Sequence, residues 1–167
     1  MLHSFITADD TGGAVRLIPN DGSDAAYLTI PDAQFLAVLG PSGSGKSRLA
    51  LALLQAGDSG LLRFARLIAD DRAFCESVHG RLLVRPVTEL AGMVEVRGLG
   101  IRRVSYETVA VVGAVVELAA GDADRLPALG SRSTEICQVA LPRLAVASGS
   151  EPLPLVLAYL RTADANA

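Results

Sequence analysis

The chain has 167 residues, half of them hydrophobic, 20% charged and 4% aromatic, with a formal net charge of −3. That length suits one domain with a single core, and the high apolar fraction excludes a disordered chain. The longest apolar stretch, Val109–Ala120, is shorter than a bilayer requires and contains Glu117, so no membrane span is expected. The acidic balance, with a pI near 5.3, argues against nucleic-acid binding through a basic surface. The first ten residues show no basic segment ahead of an apolar one, so a secretory signal is not expected and the expected location is cytoplasmic. Cys75 and Cys137 lie far apart without a CxxC or Cys/His pattern and read as ordinary small residues.

In chain order, the polar start Met1–Gly13 reads as a loose arm. Ala14–Pro19 and Ala26–Ile30 are short β-prone runs around the turn signal Asn20-Asp21-Gly22-Ser23-Asp24, which predicts a hairpin. Gln34–Leu39 reads as a buried strand, Gly40–Ser47 as a glycine-rich turn, and Arg48–Gln55 as a helix of strong helix formers. Gly57-Asp58-Ser59-Gly60 ends that helix. Arg66–Ala69 is a short strand running into Asp70-Asp71, and the span from Phe74 to Val84 reads as a hairpin turning at His79-Gly80. Met93–Arg97 alternates like a strand and stops at Gly98-Leu99-Gly100. Thr108–Leu118 is a β-branched strand with a bulge at Gly113, followed by a loop over Gly121–Gly130. A last helix is expected over Leu153–Arg161, with a frayed tail from Thr162. The expected class is α/β: one domain over residues 1–167, with a P-loop nucleotide-binding core, a mixed sheet of many short strands and few helices.

Gly40-Pro41-Ser42-Gly43-Ser44-Gly45-Lys46-Ser47 fits G-x-x-x-x-G-K-[ST] at every position, with a strand before it and a helix after it. Glycines let successive N–H groups turn inward around phosphate oxygens, and the helix N-terminus adds its positive end. In such loops the lysine, here Lys46, reaches the β- and γ-phosphates, and the hydroxyl of Ser47 ligates Mg²⁺. The expected ligands are therefore ATP and Mg²⁺. Asp70-Asp71 follows a strand end, where open α/β sheets place their ligands. One carboxylate there would serve the metal or its water, and the other would take a proton from an attacking hydroxyl; a solvated turn is the plainer reading. Glu95 and Arg97, two apart on a strand, would share one face as metal ligand and phosphate clamp, or simply form a surface ion pair.

The strings GPSGSGKS, LIADDRAF and VEVRGLGI, in that order, resemble the catalytic domain of the HPr kinase/phosphorylase family, and VEVRGLGI resembles its signature segment. The resemblance runs from Gly40 to Ile101 and more weakly to about Pro142. It implies a bacterial kinase of the short, catalytic-domain-only form, with a core related to phosphoenolpyruvate carboxykinase. The implied reaction moves phosphate from ATP, or pyrophosphate in some members, to a serine of the phosphocarrier HPr. A homo-oligomer, a hexamer in that family, is also implied. Carried over by position, Lys46 matches the phosphate-binding lysine and Ser47 the magnesium ligand. Asp71 matches the proton acceptor, with Asp70 beside it as metal or water partner. Glu95 matches the second metal ligand, Arg97 falls in the signature, and Arg125 matches a catalytic arginine in a loose alignment.

Four departures from the family stand out. No histidine occurs around Asp24–Tyr27, where the family has a catalytic one; His3 would supply it only with a lengthened hairpin, and His79 reads as an exposed turn residue. Arg48 replaces an acidic residue after the P-loop serine, and Asp58–Ala65 reads as an insertion. Ala147–Leu155 stands in place of the proline- and arginine-rich segment linked to dephosphorylation, so the reverse reaction is not expected. These departures leave open a kinase of the same fold with another acceptor, and a non-catalytic nucleotide-binding module.

Overall fold

A computed structural model describes the backbone of residues 3–7 and the residues 35–62, 64–70 and 72–162. The expected hairpin of Ala14–Ile30, Asp71 and the tail from residue 163 lie outside the described residues. Five parallel strands form the centre of the sheet: β1 (His3–Thr7), β2 (Phe35–Leu39), β3 (Ala65–Ala69), β8 (Ala110–Leu118) and β10 (Val139–Val146). Their order is β3-β1-β2-β8-β10, with β9 (Ser133–Ile136) antiparallel on the outer edge. The hairpin of β4 (Ala73–Val78) and β5 (Arg81–Pro86) joins antiparallel to the start of β8. A separate two-stranded ribbon pairs β6 (Met93–Val96) with β7 (Gly100–Arg103). Two helices complete the fold, α1 (Lys46–Asp58) and α2 (Pro152–Arg161). The mixed sheet with few helices is the expected α/β architecture.

The arm expected over Met1–Gly13 is corrected: β1 inserts between β2 and β3, pairing Phe5 with Leu36 and with Leu67. Its partners lie some thirty and sixty residues away along the sequence, so nothing local announces it.

Side-chain alternation sorts the core into two faces. Leu36 and Val38 pack against Leu49, Ala50, Leu53 and Ala56 of α1, which recur at the spacing of one helix face. Val156 of α2 closes the same cluster, with Leu153, Leu157 and Leu160 around it. Each of the fully buried leucines of α1 contributes roughly 1.5–3 kcal/mol. On the opposite face, Phe35 and Ala37 pack with Cys75, Leu82 and Val84 of the β4–β5 hairpin. Strand β8 serves both faces with a change of parity. Ala114, Val116 and Leu118 face α1, whereas Ala110, Val112 and Val115 face the hairpin. The expected bulge causes this: the register steps from Phe35↔Val112 to Leu36↔Ala114, skipping Gly113.

The turn between β4 and β5 uses His79 and Gly80, both at positive φ, as a two-residue hairpin of the twisted sense requires. The β9–β10 turn makes the same demand on Cys137 (φ 50°) and Gln138 (φ 63°), neither of them glycine. A left-handed non-glycine residue costs about 1–2 kcal/mol, partly offset by the smaller conformational freedom it loses on folding. Gln138→Gly is therefore expected to raise the calorimetric melting temperature by about 1–4 °C. An unchanged or lower value would show that Gln138 is not strained.

Burial pushes the Cys75 thiol up to about 12, with a smaller contribution from Cys137. Reactivity belongs to the thiolate, so Cys75 acts as a core side chain, as expected from its isolation in the sequence.

Candidate functional site

Strand β2 ends at Leu39 and the chain turns at once through Gly40, whose φ is +148°. A Cβ there would lie 2.7 Å from Ser44 Oγ and 2.9 Å from the Leu118 carbonyl oxygen, so the loop packs directly on the end of β8. Gly43 (φ +79°) and Gly45 (φ +99°) supply the remaining left-handed turns. Helix α1 then starts at Lys46 with no side-chain cap and no acidic residue in its first turn. A helix start whose N-cap residue supplies no side-chain acceptor, and whose first turn carries no acidic residue, favours an anion.

Lys46 is buried, and its Nζ donates to the carbonyl oxygens of Gly40 (3.0 Å) and Pro41 (3.2 Å). A buried ammonium needs such partners, and these fold the side chain back across its own loop. At the next residue, Ser47 Oγ donates to Asp70 Oδ1 at 3.0 Å. Asp70 follows directly on β3, only 8% exposed, and its Oδ2 accepts the Glu95 N–H at 3.0 Å. One carboxylate thus ties the phosphate loop to the β6–β7 ribbon.

The ribbon is held in place from its other end. Val104 N–H donates to the Gly92 carbonyl, and the segment 105–107 runs along the free edge of β3 through Leu67. The Tyr106 ring sits over Gly92, where an added Cβ would meet it at 2.6 Å. Val94, 1% exposed, points into the body.

Between loop and ribbon lies a cleft of about 590 Å³, within the usual size of a small-ligand site. Its walls are residues 42–48 and Leu51 on one side, and Glu95, Val96 and Arg97 on the other. Lys46, Ser47, Glu95 and Arg97 of the expected set therefore converge, with Asp70 beneath them. One boundary is corrected: β6 ends at Val96, so Arg97 lies in the turn and not on the strand face with Glu95. Gly40 and Pro41 contribute the carbonyls that hold Lys46.

Arg125 is exposed in the loop after β8 and is not among the cleft's lining residues. That loop is clamped by Arg143, which sequence reasoning missed. Its guanidinium binds Glu117 at 2.6 Å, both carboxylate oxygens of Asp122 at 2.7 and 2.8 Å, and the Ser131 carbonyl at 3.0 Å. Hydrogen bonding to Arg143 lowers the Asp122 pKa, and both carboxylates raise that of Arg143. A lone Arg in a strand carries no local sign of this role. Arg48 was noted only as a departure from a family pattern; it lines the cleft and pairs with Glu151 at the start of α2, both exposed.

The donor set suits Mg²⁺. A hydroxyl, a carboxylate beneath it and a second carboxylate on the facing wall are hard oxygen ligands, and Mg²⁺ takes few protein ligands beside water and phosphate. No cluster of three or more His, Cys, Asp or Glu arranged for a metal occurs among the described residues. Among them, too, no helix is long and apolar enough to cross a membrane.

No protein-family model matches the chain. Over 66 residues it is 39% identical to the HPr kinase/phosphorylase of Clostridium tetani, a match covering 40% of this chain and 19% of that protein. The HPr kinase/phosphorylase of Clostridium beijerinckii matches equally, over 20% of its length. The matched segment thus spans about a fifth of these relatives. Among solved structures, the HPr(Ser) kinase/phosphatase from Coxiella burnetii superposes with a TM-score of 0.61 at 22% identity, covering 77% of this chain and 86% of that one. The chain is thus similar in sequence to the HPr kinase/phosphorylases over that segment, and over most of its length it shares the fold of the Coxiella burnetii protein.

Proposed function

We propose that the chain is a kinase domain that transfers the γ-phosphate of ATP to a serine of the phosphocarrier HPr. The observation that carries this reading is the Ser47–Asp70–Glu95 linkage, which joins a phosphate loop to a facing wall bearing a carboxylate and an arginine. A bare anion site needs only the loop and helix N-terminus. A transferring enzyme also needs groups on the far side of the phosphate, where the acceptor arrives.

In this reading, the loop N–H groups and Lys46 hold the phosphates, and Arg97 steadies the group in transfer from the facing wall. Ser47 and Asp70 would hold Mg²⁺, with Glu95 opposite, and the ion would offset charge on the phosphate oxygens. A serine hydroxyl is a poor nucleophile at neutral pH, so a carboxylate must take its proton as the bond forms. Asp71, next in sequence to Asp70, is assigned that role. Arg125 is assigned a supporting one on the family resemblance alone, since it lies on the Arg143-clamped loop outside the cleft.

The test is transfer from labelled ATP and Mg²⁺ to purified HPr, with wild type and Asp71→Asn side by side. The expected result is phosphoserine formed by the wild type and reduced by about 10²–10⁴-fold in the variant. Nucleotide binding without transfer would overturn HPr as acceptor. Absence of nucleotide binding would overturn the whole reading.

A further inference from the structure

The β6–β7 ribbon has two faces. Register pairs Glu95 with Ile101, Met93 with Arg103, and Val94 with Arg102. Alternation therefore puts Met93, Glu95, Ile101 and Arg103 on one face and Val94 on the other. Val94 is buried, so the face carrying Ile101 and Arg103 looks away from the body. Glu95 belongs to that outward face and also lines the cleft. The outer face of the ribbon is thus continuous with the wall past which an acceptor must enter.

Its chemistry is unusual for a surface ribbon. Ile101 is 67% exposed and Leu99, two residues before it, is 60% exposed. Single exposed aliphatic residues are ordinary, but two on one short ribbon at a cleft mouth form a contact patch. Beside them stand Arg97 in the turn and Arg103 on the same face, both exposed, with Arg102 exposed on the opposite face, in a chain whose net charge is −3. None of the three forms an ion pair among the described residues. The positive charge is concentrated where the rest of the chain would not place it.

We propose that this outer face is the docking surface for the protein acceptor. An aliphatic side chain of the acceptor rests on Leu99 and Ile101, a carboxylate of the acceptor meets Arg103, and its hydroxyl thereby reaches the cleft beside Glu95. This rests on the kinase reading above. A small-molecule acceptor would have no use for a patch outside the cleft, so the patch favours a folded protein with a mixed apolar and acidic surface. Neither Ile101 nor Arg103 touches the phosphates; both act by binding the acceptor.

The test uses the full chain, with ATP and HPr as probes, and compares wild type with Ile101→Asp, Ile101→Leu and Arg103→Glu. Because both positions are exposed, the variants should melt within a degree or two of wild type. The expected result is an HPr KM raised about tenfold or more in Ile101→Asp and Arg103→Glu, with kcat and ATP affinity within about twofold of wild type. Ile101→Leu should restore the wild-type KM. The Arg103→Glu defect should shrink at high salt, as a screened charge contact does. An unchanged HPr KM in both variants of an active enzyme overturns the docking surface alone. A wild type that phosphorylates no HPr overturns the kinase reading, and the docking surface with it.

Discussion

Asp70→Ala is expected to reduce phosphate transfer by about 10³-fold or more, the usual cost of removing a group that organises the metal and the transferring phosphate. The Asp70 carboxylate accepts two hydrogen bonds, one from each side of the cleft. Its loss frees the Ser47 hydroxyl from its orientation and leaves the Glu95 N–H without its acceptor. A part-buried donor left without its partner costs about 1 kcal/mol, the low end of the range for a buried one, so a fall in melting temperature of about 2–4 °C should accompany the loss of activity. Asp70→Asn separates the two effects. An amide retains one acceptor oxygen but turns a donor towards either Ser47 or Glu95, so it keeps the shape and loses the charge. Its stability should lie nearer wild type while transfer stays low. Ser47→Ala gives the third measurement. If Ser47 and Asp70 act as a unit, the double variant should be little worse than either single one. Transfer by Asp70→Ala within about tenfold of wild type would remove Asp70 from the site.

The same geometry explains which parts of the molecule were legible beforehand. The phosphate loop, α1 and the β4–β5 hairpin each carry their own local signal. These are the glycine spacing before Lys46, the run of helix formers after it, and His79-Gly80 between two β-prone runs. Gly113 was legible as a bulge because a lone glycine interrupts a β-branched strand, and the register shift lies there. The missed elements lack such marks. Strand β7 is exposed at every residue, so it shows no alternation to read. The β9–β10 hairpin turns on Cys137-Gln138, which no turn preference would select. Strand β1 is defined only by partners distant in sequence.

At the site, residue types and order sufficed to gather Lys46, Ser47, Asp70, Glu95 and Arg97, because motif spacing fixes which strand ends they occupy. What sequence could not supply is the contribution of the backbone. The Glu95 N–H is as much a part of the Asp70 environment as the Ser47 hydroxyl, yet every residue but proline has such a group. Likewise Glu95 was legible as a carboxylate near a phosphate, but not as a neighbour of Ile101. That pairing depends on a ribbon register set by β7, the strand that was missed.

Gly40→Ala is expected to be the most damaging glycine-to-alanine change among the described residues. Two penalties fall on one atom. The backbone sits at φ +148°, where an L side chain is strained, and the added Cβ would meet both Ser44 Oγ and the Leu118 carbonyl oxygen inside 3.0 Å. The serine hydroxyl can rotate away. The carbonyl cannot, because it belongs to the end of β8, itself paired to β2 and β10. Relief therefore requires the loop to lift off the sheet, and the Gly40 carbonyl that holds Lys46 moves with it. The expected result is a loss of about 2–4 kcal/mol in stability, read by denaturant melt. ATP affinity should fall about 100-fold or more, read by titration with a fluorescent nucleotide. Gly43→Ala is the control. Its φ of +79° is equally unfavourable, but a Cβ there meets nothing within 4 Å. It should cost only the backbone term, about 1–2 kcal/mol, and leave the placement of Lys46 intact. Equal loss of nucleotide binding in the two variants would mean that loop flexibility, and not the packing of Gly40 on β8, holds the phosphate site in shape.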